Sequence, residues 1–149
     1  MSQWAEILDA ISLALGGERA AGQDRLLTVW MSSDDKQHAE RCVLAHYLAD
    51  LESDLSAEIS WDECALVEFA EVDNDALVAV GIAAAAAMAP SLHLNLGDGY
   101  LRAGRLAEAR HQAQQGLACS GQLGDDGYGN LIRAGLDRLM AQVEGAGTS

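Results

Sequence analysis

Apolar residues recur along this chain three and four positions apart, and no stretch alternates apolar and polar positions for long. Ser2 is placed to cap a first helix whose stripe is Trp4, Ile7, Leu8, Ile11 and Leu15, and Gly16-Gly17 stops it. A second helix is predicted over 18–31, burying Leu26, Leu27 and Trp30. Ser33-Asp34 opens a third, which carries Cys42, Leu44, Tyr47 and Leu48 as far as about Asp50. After a polar turn, Ser56 caps a fourth helix holding Ile59, Trp61, Leu66 and Phe69. Asp73-Asn74-Asp75 breaks the chain and caps an alanine-rich helix with Leu77, Val80, Ile82 and Met88. That helix would be apolar nearly all round and therefore covered on most sides. Pro90 marks a boundary or kink. Further helices are expected over 91–103, 106–120 and 128–143, and 145–149 reads as a flexible tail.

Composition agrees with an all-α fold. Alanine and leucine dominate, aromatics are 5%, and β-branched residues are few, which excludes an all-β fold. At 149 residues, a single helical domain over 1–144 is expected. The net charge is −14, from nine basic and 23 acidic residues. Nucleic acid and anionic lipid are both recognised through Lys and Arg, so neither is an expected partner. The charge is also uneven: no Lys or Arg occurs between Cys42 and Arg102, a span that holds eleven carboxylates. This favours solubility, and it would steer a cationic partner to the middle of the chain. The three cysteines, Cys42, Cys64 and Cys119, form no CxxC, and the N-terminus has no basic, cleavable apolar segment. A cytoplasmic protein without a signal peptide is expected. The longest apolar run, 76–89, is shorter than the ~20 residues of a membrane span.

Residues 91–117, SLHLNLGDGYLRAGRLAEARHQAQQGL, carry a recognisable pattern: Leu96-Gly97, Tyr100, Gly104, Leu106 and Ala109. Each position has a physical reason. Gly97 and Ala109 are small where two helices of a hairpin cross, Tyr100 fills the space beside that crossing, and Gly104 supplies a left-handed residue to end the first helix. In this spacing the segment resembles a tetratricopeptide repeat (TPR). It departs from that family at His93, where a large aromatic is usual, at Ala113 and Gly116, which are smaller than usual, and at Gly121, where proline is common. Leu44-Ala45, Leu48, Ala57, Trp61 and Cys64 repeat the spacing more weakly, 52 residues earlier, so the array is irregular. The last helix resembles the capping helix of such arrays. The chain as a whole resembles short bacterial proteins of this type.

The resemblance implies a right-handed α–α superhelix of antiparallel hairpins. It also implies that the first helix of each hairpin lines a concave, partner-binding face. Carried over position by position, that face holds Ser91, Leu94, Asp98, Leu101 and Arg102, with Asn95 beside them, and in the weaker repeat Ala39, Cys42, His46, Ala49 and Asp50. The function it implies is non-catalytic: a groove that holds a protein or peptide segment, with no cofactor; being acidic, it would sooner take a basic segment.

Two other readings stay open. His38, Cys42 and His46 fall four apart on one helix face, so a metal site or an enzyme using Cys42, His46 and His93 is one alternative. Ligands eight apart are roughly 12 Å apart along a helix axis, and no HExxH or paired Cys/His module is present. A homo-oligomeric subunit pairing through the alanine-rich helix is the other. Trp4, Trp30 and Trp61 read as core anchors, and the glycine-rich stretches match no nucleotide-binding pattern.

Overall fold

The computed structural model describes residues 3–147. Among them are seven α-helices and three short 3-10 turns, with no strand. Ser2, expected to cap the first helix, lies outside the described residues. The chain divides between Ala85 and Ala86 into two compact units.

The first unit contains α1 (Gln3–Leu15), α2 (Arg19–Ser32), α3 (His38–Leu51) and α4 (Leu55–Phe69). They pack as two hairpins, α1 with α2 and α3 with α4. Gly17, at φ 102°, makes the first turn. The pair is close at Gly22, where a Cβ would lie 2.6 Å from the Ala14 Cβ and 2.8 Å from its backbone. Gly22, Leu26 and Val29 take the buried positions on α2, Leu26 as expected, while Leu27 and Trp30 are half-buried. On α1, Ile7, Ala10 and Ile11 are buried, but Leu8 and Leu15 are exposed.

Helix α3 starts four residues later than Ser33-Asp34 suggested. The Asp34 carboxylate accepts the Lys36 N–H at 2.9 Å, and the Asp34 N–H donates to Gln37 Oε1 at 2.9 Å, so a local turn uses the group that would have capped a helix. Helix α4 is capped by Asp54, whose carboxylate accepts the Ala57 N–H at 2.9 Å. Ser56, the expected cap, lies one residue inside the helix.

The alanine-rich helix does not form. Residues 74–88 run through turns, a 3-10 turn at Val78–Val80, a left-handed Gly81 at φ 86°, and a second 3-10 turn at Ala85–Met88. Alanine has the best helix propensity, but its advantage per residue is small and nucleation is costly. A helix needs a face worth burying, and a run of methyl groups offers little apolar area. Only Leu77, Ala85 and Met88 are buried in this segment, while Val78 is 58% exposed. The expected coverage on most sides is therefore absent, and with it the helical seam through which two copies were imagined to pair.

The second unit contains α5 (Ala89–Arg102), α6 (Leu106–Ala118) and α7 (Gly127–Ala146). Pro90 sits in the first turn of α5, where its missing N–H has no intrahelical partner to lose. Gly104, at φ 78°, closes α5 as expected, and α6 folds back along it. Asp126 caps α7, accepting the Gly129 N–H at 2.7 Å. Helix α7 continues beyond Val143, so Gly145 and Ala146, expected in the tail, belong to it.

Candidate functional site

The expected face of α3 is largely closed. Ala39, Cys42 and Ala49 are buried, His46 is half-buried, and only Asp50 is exposed. Burial pushes the Cys42 thiol up to about 12, helped by the nearby Glu68 carboxylate and Cys64. Such a thiol stays protonated near neutral pH and is a poor nucleophile and a poor metal ligand. Burial also holds His46 below its ordinary value, against the pull of Asp50. Asp50 loses enough water to be lifted above the usual carboxylate range, with Glu58 adding to the rise and His46 and Arg19 opposing it. Arg19 Nη2 donates to the Asp50 carbonyl at 2.9 Å, and the His46 and Tyr47 rings meet edge-on, 5.3 Å between centroids.

His38, Cys42 and His46 share a helix face without converging. His38 Nδ1 lies 2.7 Å from Glu68 Oε2 on α4, and Cys42 points into the core. In the second unit, His93 Nδ1 lies 2.7 Å from Gln112 Oε1. Among the described residues, no group of three or more His, Cys, Asp or Glu side chains is arranged to hold a metal ion.

The expected face of α5 is covered at its N-terminal end by α7. Ser91 is buried and its hydroxyl is hydrogen-bonded to the Tyr128 hydroxyl. Leu94 packs against Leu123, Ile132 and Leu136, and a Cβ on Gly135 would come within 2.8 Å of its Cδ2. Ser91 serves the internal contact with α7 and is not open to a partner, while Leu94, half-buried, gives part of its surface to that contact. Further along, Asn95, Asp98 and Leu101 are half-buried and Arg102 is exposed. Asp98 and Arg102 form an i, i+4 ion pair at 2.9 Å with about half of each side chain exposed (50% and 46%).

One cluster was not anticipated. The Arg41 guanidinium lies 3.9 Å from the centroid of the Trp30 ring, donates to Ser33 Oγ at 2.9 Å, and its Nε is 3.3 Å from Glu68 Oε1. Trp30 meets Trp61 edge-on at 5.0 Å, and Trp61 Nε1 donates to Glu52 Oε1 at 3.2 Å. This brace joins α2, α3 and α4. Arg41 is the last cation before the stretch without Lys or Arg, and that position was the one signal in the sequence that its charge had a specific use.

The first unit carries surface cavities beside α1 and α3. One of about 270 Å³ is lined by Glu6, Asp9, Arg25, Thr28 and Val29. Another, about 230 Å³, lies beside the start of α3 and includes Lys36, His38, Glu40, Glu71 and Asp73.

Charge separates the two units. Residues 1–85 hold 17 acidic and four basic residues, a net −13, and residues 86–149 hold six and five, a net −1. No helix among the described residues is long and apolar enough to cross a membrane. No family model matches the chain, and no curated protein or solved structure matches it.

Proposed function

We propose that this protein is a non-catalytic, TPR-like interaction module whose first unit takes a basic segment of another protein. The observation that carries the reading is the charge division: nearly all of the excess negative charge sits on one folded unit. A field of that kind speeds the approach of cationic partners and repels anionic ones. The TPR-like part of the reading is supported by the α5–α6 hairpin. Gly97 lies at the helix crossing, where a Cβ would come 3.2 Å from the Gln112 Cβ and 3.5 Å from the Ala109 carbonyl oxygen. Tyr100 is buried and Gly104 is left-handed, which agrees with the roles the resemblance gives them.

On this reading, Asp50, the one exposed position among those carried over on α3, helps to receive the cation. Asp98 contributes less, because Arg102 already answers its charge. The test is binding of a fluorescent 16-residue peptide rich in Lys and Arg, measured by anisotropy. Binding is expected to weaken steeply with added salt and to be absent for the same peptide with Glu at the basic positions. Equal binding of the two peptides would overturn the proposal.

A further inference from the structure

We infer that the outward face of α1 is a docking edge for an amphipathic helix of a partner whose apolar seam is flanked by Lys and Arg. This rests on the reading of the first unit as a receiver of basic segments, and it specifies the surface and the form of the ligand.

Helix α1 carries more apolar surface than its own unit covers. Trp4, Leu8, Ile11 and Leu15 are spaced four, three and four apart, the spacing of a two-helix seam. The fold uses the other part of the apolar face: Ile7 and Ala10 are fully enclosed and Ile11 is 8% exposed. Leu8 remains 41% exposed and Leu15 76%. Both lie on the same edge of the helix, seven residues apart, with Ser12 between them. Small neighbours, Ala5 and Ser12, leave that edge low enough for a second helix to approach.

Charge decides which helix fits. Residues 3–15 contain Glu6 and Asp9 but no Lys or Arg, and Glu18 follows in the turn. Glu6 and Asp9 also line the cavity of about 270 Å³ on the α2 side of this helix. That cavity, which Arg25 also lines, lies round the helix from Leu8 and Leu15, so a partner on the leucine edge feels these carboxylates through their field and not by contact. A second copy of α1 would bring two more carboxylates and no cation, within a unit already at net −13. The electrostatics therefore disfavour self-pairing and favour a basic helix.

The test uses the intact protein and two designed helical peptides with the same Leu spacing, one flanked by Lys and one by Glu, with anisotropy as the readout. The Lys peptide is expected to bind at least about tenfold more tightly than the Glu peptide. The double variant Leu8→Gln, Leu15→Gln, checked for an unchanged circular dichroism spectrum, is expected to weaken the Lys peptide by about tenfold or more, since two apolar anchors are lost. The control Asp137→Lys, on α7 of the second unit, should change its affinity by no more than about twofold. Binding of the Lys peptide that is indifferent to the Leu8/Leu15 variant overturns this inference; if Asp50→Lys then abolishes it, the broader reading stands and the docking site lies on α3. Failure of the Lys peptide to bind at all overturns both. Concentration-dependent dimers that the Leu8/Leu15 variant dissolves would assign the edge to a second copy instead.

Discussion

The hairpins α3–α4 and α5–α6 share a plan but are filled in different ways. In α5–α6 the second helix turns Ala109, Ala113 and Gly116 inward, all buried and all small. The gaps they leave are occupied by a third helix: a Cβ on Gly116 would lie 2.5 Å from Leu136 Cδ2, and one on Gly97 would lie 2.6 Å from Leu139 Cδ2. In α3–α4 the second helix carries Trp61 and Cys64, and the indole itself fills the space, braced by Trp30, Arg41 and Glu52. One hairpin borrows its filling from a neighbour; the other brings its own. A bulkier residue at Gly116 would expel Leu136 of α7.

The two hairpins should therefore fail by different substitutions. The largest effect is expected from Leu136→Ala, which empties the hollow at Gly116. A fully enclosed leucine in a site that cannot collapse around a glycine should cost about 3–4 kcal/mol, read from urea unfolding. A loss below about 1 kcal/mol would show that α7 is not what fills this hairpin. Trp61→Ala should cost about 2–3 kcal/mol, less because the ring is half-buried, and should also remove a near-ultraviolet circular dichroism signal from the Trp30 pair. If that signal survives, the brace is not formed as described.

Helix caps provide a smaller and more even test. Asp54→Ala at the start of α4 and Asp126→Ala at the start of α7 each remove one carboxylate bond to a backbone N–H, and each should cost about 1 kcal/mol. Ser56→Ala, at the position a sequence reading favours, should cost less than half of that.

The smallest effect concerns pH. Burial holds His46 below its ordinary value, so the folded chain binds that proton less readily than the unfolded chain does. Its contribution to stability is intact above the ordinary histidine range and is lost as pH falls through it. Asp50 is shifted upward, so its contribution is fully present below the ordinary carboxylate range and is lost as pH rises through its lifted value. As pH falls through the ordinary histidine range the unfolded chain takes up this proton first, so the wild type should lose stability there and His46→Gln should lose less. Parallel pH profiles for the two proteins would contradict this.

Much of the fold was legible because the helices are amphipathic and their breaks are chemical. Gly17 and Gly104 are left-handed where the pattern required a stop, and six of the seven helices begin within two residues of the positions read from periodicity and caps, α3 being the exception. The alanine-rich segment departs from its pattern because propensity alone is not sufficient; without a face to bury, even the best propensity does not hold a helix together. Asp54 and Ser56 show a second limit. Both are good caps two residues apart, and only the tertiary packing of α4 selects between them. The candidate face was legible as a face, but its fate was not. Cys42 and Ser91 share periodicity with exposed neighbours, and what buries them comes from elements distant in the chain. The brace around Arg41 has the same character, because Glu68 lies 27 residues away and no local pattern links the two.

The central claim, that this molecule receives basic segments on its acidic unit, is met most directly by panning a random peptide display library against the intact protein at physiological salt. The account predicts that the retained peptides are enriched in Lys and Arg and are released by Glu-for-Lys replacement. A retained population that is neutral or acidic would contradict it.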